Sequence, residues 1–142
     1  MYIAGIFMAV YSLHAVQTIP AGIDKVWSFF SDPANLQAIT PRQLNFRVIS
    51  QQPVGTMYAG QLIEYKVSPL LGIPLYWMTE ITQVVQRQYF IDEQRYGPYS
   101  LWHHQHFFKE VPGGVEMTDI VHYKPPLWWL GDIANSLFVR QQ

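Results

Sequence analysis

The segment Trp102-His103-His104-Gln105-His106 is the densest run of side chains able to move protons or hold a metal. On a strand, successive side chains face opposite sides, so His104 and His106 share a face with Trp102 and Phe108. His103 and Gln105 point the other way. Downstream, Asp119 shares a face with Met117, Val121 and Tyr123. Pro112-Gly113-Gly114 lies between the two segments and is a strong hairpin signal. The strands should therefore pair, bringing Asp119 within reach of His104 or His106. Upstream, Asp92 and Gln94 share a face with Phe90, and Glu80 lies on a strand beside them.

Three chemistries fit this pattern. His-x-His on a strand, completed by Asp119, is one arrangement for zinc or iron. The spacing does not set it apart from chance, so no metal ligand is assigned and no cofactor is expected. Alternatively, His104 or His106 acts as a general base, oriented by Asp119, on an acidic C–H of a bound ketone. The third reading is a hydrogen-bonded polar patch in an aromatic cavity, orienting the polar end of a ligand. Buried polar groups must be paired, and a His–Asp–Tyr cluster pairs itself. This last reading is preferred. Its ligand-binding set is Tyr65, Trp77, Phe90, Asp92, Gln94, Trp102, His104, His106, Asp119 and Tyr123, with His104, His106 and Asp119 as the catalytic candidates. Glu64 and Glu80 offer a carboxylate pair, but each alternates with apolar residues and is expected to face solvent. There is no Gly-rich phosphate loop and no Gly-x-Ser-x-Gly elbow.

Composition narrows the class. The 142 residues fit one domain, 1–142. Hydrophobic residues at 49% exclude intrinsic disorder. Charged residues reach only 13%, against a typical ~25%, while aromatics reach 15%. So many rings and so few charges imply an enclosed apolar cavity or a face hidden against a partner. Nine Lys and Arg, scattered with a net charge of −1, give no basic stripe for nucleic acid. The absence of cysteine rules out disulfides, thiolate zinc sites and a Cys nucleophile, and it suits a cytoplasmic location. The apolar run Ile3 to Val10 resembles a signal-peptide core, but no Lys or Arg precedes Lys25 and Leu13 fits poorly before a cut after Ala15. No apolar stretch approaches the roughly 20 residues of a membrane span.

The elements that must position these groups follow from periodicity. Ile3 to Ile19 reads as a long strand, ended by Pro20-Ala21-Gly22. Ile23, Val26, Trp27 and Phe30 make one helical stripe. Asp32-Pro33 starts a second short helix with Leu36 and Ile39 inside, stopped at Thr40-Pro41. Period two then takes over. Strands are expected around Leu44 to Val48, Gln61 to Val67, Leu75 to Val85, Arg87 to Gln94, Tyr99 to Lys109 and Val115 to Tyr123. Leu130, Ile133, Ala134 and Leu137 return to helical spacing. Consecutive strands with helices segregated to the ends predict an α+β antiparallel sheet of about seven strands, curved, with the C-terminal helix across its concave face.

Val26-Trp-Ser-Phe-Phe-Ser-Asp-Pro-Ala-Asn-Leu36 with Thr40-Pro41 resembles the opening of the START-related SRPBCC superfamily, the birch-pollen-allergen-like helix-grip proteins. Gly72 to Ile81, Phe90 to Gln94, Gly97-Pro98-Tyr99, Trp102 to Phe107 and Asp119 to Tyr123 resemble a bacterial ligand-binding, polyketide-cyclase-like subgroup. The resemblance implies a helix-grip fold and a cavity for a lipid, polyketide or isoprenoid-like molecule, with a cyclase or aromatase activity as the alternative. The chain departs from the family at both ends. Its N-terminus is longer, and the helix from Leu130 to Val139 spans only about 15 Å. Such a helix is too short to cover the sheet, so the expected remedies are a truncated terminus or a second copy in a homodimer.

Overall fold

The period-two segments form one antiparallel sheet. The computed structural model describes residues 10–51, 55–68 and 72–125. Its strands are β1 (Tyr11–Ile19), β2 (Arg47–Val48), β3 (Leu62–Val67), β4 (Leu75–Val85), β5 (Tyr89–Tyr96), β6 (Leu101–Val111) and β7 (Gly114–Lys124). Helices α1 (Ile23–Phe30) and α2 (Leu36–Ile39) lie between β1 and β2. The strand order is β1-β7-β6-β5-β4-β3-β2, so β2 to β7 run as a meander and β1 closes onto β7. The class is α+β, as the segregation of helices implies. The helix expected on Leu130 to Val139, the Trp128-Trp129 pair and the start of the first strand lie outside the described residues. Within them, no helix is long and apolar enough to cross a membrane.

Local chemistry explains the helical segment. In α1 the stripe buries Val26 and Trp27, and Trp27 meets Phe108 edge-on at 5.4 Å and Phe90 at 6.1 Å. Asp32 caps the next turn by accepting from the Ala34 N–H at 3.0 Å, with Pro33 at the first helical position. That turn is a 3-10 turn, Pro33–Asn35, and α2 follows it.

One expected strand is corrected. The alternation from Leu44 to Val48 yields only the two paired residues of β2, because Arg42–Leu44 form a 3-10 turn. Asn45 ends that turn at φ 45, ψ 44, a left-handed conformation that Asn tolerates better than most residues. Leu44 is buried instead as a core residue, and its carbonyl accepts from the Ser68 N–H at 2.6 Å. Strand β5 likewise starts at Tyr89 rather than Arg87, since Arg87 sits in the turn with φ 63 and pairs with Asp24 of α1.

The inner face, beneath α1, carries two apolar clusters. One gathers Trp27, Ile63, Ile81, Phe90, Phe108 and Met117. The other gathers Leu44, Trp77, Tyr99, Trp102, Val121 and Tyr123. Read along the inner face of β6, the order is Trp102, His104, His106, Phe108, so the histidines lie between the clusters. Register shifts at Met78/Thr79 and Ile81/Gln83 break the β4–β5 ladder, and such bulges bend a strand.

Candidate functional site

A row of polar side chains crosses the middle of this apolar face, contributed strand by strand. Tyr65 on β3 meets Thr79 on β4, hydroxyl to hydroxyl, at 2.7 Å. The row continues through Asp92 on β5, His104 and His106 on β6, and Asp119 on β7. Cross-strand register sets Asp92 opposite His104 and His106 opposite Asp119.

The contacts are both direct and diagonal. His106 Nε2 lies 2.8 Å from Asp92 Oδ2, and His104 Nε2 lies 3.0 Å from Asp119 Oδ1. His106 Nδ1 is also 2.8 Å from Asp119 Oδ1, a close electrostatic contact not aligned as a directed hydrogen bond. His104 Nδ1 stands 3.9 Å from Asp92 Oδ2. The two imidazole centroids are 3.7 Å apart. Each ring therefore has one carboxylate on either side.

Electrostatics divides the two histidines. For His106, burial opposes the charged form, but the 2.8 Å contact with Asp119, the hydrogen bond to Asp92 and the charge of both carboxylates prevail and push its pKa up to about 9. For His104, burial and then the neighbouring His106 charge hold the pKa below the ordinary value, against the pull of Asp119 and Asp92. Burial alone would raise Asp119, yet the hydrogen bond from His104 and the close contact and charge of His106 keep it well below the usual carboxylate range. At neutral pH His106 is therefore an imidazolium, His104 a neutral imidazole and Asp119 a carboxylate. Burial first and Asp92 second also hold the Tyr65 phenol protonated, with its pKa well above the ordinary value.

These shifts set a stability profile. The contribution of His106 is complete below its ordinary pKa of 6.5 and is lost as pH rises towards about 9. At ~1.4 kcal/mol per pH unit the loss amounts to at most about 3 kcal/mol. His104 acts in the opposite sense, because its folded-state pKa is lowered: its contribution is present above 6.5 and declines as pH falls. Denaturant unfolding measured from about pH 5 to about pH 10 should thus give a maximum near neutrality. His106→Gln should abolish the alkaline decline. A wild-type profile that stays flat on the alkaline side would contradict the charge assignment.

The row opens onto a cavity of about 600 Å³ between the sheet and the α1–α2 segment. Its walls include Phe30 and Leu36 from the helices, Ile63, Trp77, Ile81 and Trp102 from the sheet, and Ala15 and Gln17 from β1. A wider trough of about 1130 Å³ runs past Arg42, Asn45, Arg47 and Lys66. Its lining is almost entirely exposed or half-buried, and it lacks a cluster of buried reactive groups.

No family model matches the sequence, and no curated protein matches it. Solved structures do. Protein CV1439 from Chromobacterium violaceum superposes with a TM-score of 0.68 at 11% identity, covering 92% of each chain. The major latex-like protein 151 of Panax ginseng gives 0.66 at 13% identity, over 93% of this chain and 91% of that one. Ara h 8.0201 gives 0.65 at 14% identity, over 90% and 87%. The fold is the helix-grip fold.

Within this helix-grip fold, Tyr65, Trp77, Phe90, Asp92, Trp102, His104, His106 and Asp119 all border the cavity. Tyr123 is buried one layer away, stacked on Tyr11 at 5.5 Å and packed against Trp102. Gln94 is engaged elsewhere: its amide donates to the Tyr99 carbonyl at 2.6 Å, and its side-chain oxygen accepts from the Tyr99 N–H at 3.1 Å. It clamps the turn around Gly97 and is absent from the cavity lining. Glu64 and Glu80 do not pair with each other. Glu64 accepts from the Tyr76 hydroxyl and Glu80 meets Arg95 at 3.2 Å. His103 pairs with Glu93 at 3.1 Å on the outer face. Sequence reasoning passed over Thr79, which is 4% exposed. Its parity with Trp77 and Ile81 on β4 was the available signal.

Proposed function

We propose that the protein binds one small amphipathic molecule, of lipid, polyketide or isoprenoid-like character. Its apolar body lies among the rings of the cavity, and its hydroxyl or carbonyl end meets the His104, His106, Asp92 and Asp119 cluster. The observation that carries this reading is the conjunction of a 600 Å³ cavity with a charged cluster in its wall. The volume lies within the ~300–1,000 Å³ range of small-molecule sites, and a few convergent polar groups in an apolar wall are what fixes a ligand's orientation. A ligand confined to outer loops would not need these groups placed inside.

One observation favours a second, enzymatic reading. His104 is held neutral beside a carboxylate and faces the cavity, as a general base of cyclase or aromatase type requires. A single set of variants separates the readings. Titration of wild-type protein with an apolar fluorescent probe should show one site per chain, and native mass spectrometry should reveal any co-purified small molecule. Ala15→Trp, which fills the cavity from β1, should abolish probe binding while retaining the fold. Unchanged binding in that variant would overturn the cavity reading. His104→Gln should alter affinity by no more than about tenfold in a carrier, whereas an enzyme should lose about 10²- to 10⁴-fold in turnover.

A further inference from the structure

The two carboxylates of the cluster stand in different relations to the imidazoles. Asp92 faces His104 Nδ1 and His106 Nε2. Asp119 faces the opposite ring nitrogens, His104 Nε2 and His106 Nδ1. One carboxylate thus lies on the near side of the ring pair and one on the far side. The near-side groups, Asp92, His104 and His106, bring one potential ligand atom each within 4.8 Å of one another.

We propose that Asp92, His104 and His106 form a three-ligand site for a divalent transition metal, zinc above all, with Asp119 holding the far ring nitrogens of both histidines. Two imidazoles and one carboxylate are a donor set for zinc or iron(II) in sites that keep a position open. Histidines that bind a metal nearly always donate their other ring N–H to an acceptor, commonly a carboxylate. Asp119 does this for His104 at 3.0 Å and stands 2.8 Å from His106 Nδ1. A tetrahedral metal with bonds of ~2.0–2.1 Å needs ligand atoms about 3.3 Å apart. The 2.8 Å His106–Asp92 contact has to open by about half an ångström, and the 3.9 Å His104–Asp92 separation to close by a similar amount. Both are side-chain adjustments on a fixed backbone. The metal takes the position of the proton between His106 Nε2 and Asp92, that proton is released to solvent, and all three ligand residues border the cavity.

The site depends on placement rather than on an organic ligand, so it can stand or fall apart from the binding reading. Metal-stripped wild-type protein is titrated with Zn²⁺, and separately with Co²⁺ as a spectroscopic probe. Expected are one metal per chain and the ligand-field spectrum of low-symmetry Co²⁺. His104→Gln and Asp92→Asn should each weaken Zn²⁺ binding by about 100-fold or more, and Asp119→Asn by about 10- to 100-fold. His103→Ala, on the outer face, should have no effect. Ring-nitrogen NMR of the wild type keeps the test decisive should a variant fail to fold: Zn²⁺ should shift His104 Nδ1 and His106 Nε2. Equal Zn²⁺ affinity in wild type and His104→Gln, loss confined to His103→Ala, or unshifted ring nitrogens would each overturn the proposal.

Discussion

Asp119→Ala should lower the unfolding free energy of the metal-free protein by about 3 kcal/mol at neutral pH, the low end of the cost of breaking a buried ion pair from one side, because His106 is buried while Asp119 itself is half-buried. The carboxylate meets both histidines, at 3.0 Å and 2.8 Å, and its removal leaves His106 with Asp92 alone. His104 loses its only hydrogen-bond partner among the described contacts. The loss should shrink above the His106 pKa of about 9, because the neutral ring no longer needs two anions. Denaturant midpoints on both sides of that pH provide the check. A cost below about 1 kcal/mol at neutral pH is what an exposed surface pair would give, and it would refute a buried charge network.

Gly114→Ala should be comparably damaging for a backbone reason. A Cβ at this position, where φ is +151, would lie 2.0 Å from the Ile19 carbonyl oxygen and 2.9 Å from its carbon. Both neighbours are main chain at the end of β1, where Ile19 pairs with Val115, so no rotamer change relieves the clash. Overpacking costs ~1–3 kcal/mol where side chains can yield, and here at least about 3 kcal/mol is expected. Gly113→Ala is the matched control. Its φ is +92 with nothing within 4 Å, and its cost should be confined to the ~1–2 kcal/mol of a left-handed residue. Similar melting temperatures for the two variants would show that β1 does not pack tightly on the hairpin.

The architecture was legible where period two and turn chemistry agreed. The alternation in Leu75 to Val85 and the Pro112-Gly113 turn suffice to place β4 and to pair β6 with β7. Parity alone then put His104, His106 and Asp119 on one face. The tie between Asp92 and His106 was not legible, because it depends on the β5–β6 register. That register follows from a turn in which Gln94 grips Tyr99 around Gly97, a contact no periodicity reports. The same clamp explains why Gln94 has the parity of a cavity residue without the role. Leu44 to Val48 misled for a related reason. Its alternation is real, but Asn45 turns the chain where a strand would continue.

The strand order carries a mechanical consequence. Strands β1 and β2 are the opposite edges of the sheet, yet only the α1–α2 segment separates them in the chain. Among the described residues, the roof of the cavity is therefore a strap fastened at both rims, and this strap cannot swing open on one hinge like a door. Raising it would strain the β1–β7 ladder at one rim and the β2–β3 ladder at the other. Of the two anchors, the far one is weaker, since β2 holds β3 through two residues while β1 holds β7 through nine. The strap should yield first at the β2 rim, and a guest molecule would pass on that side.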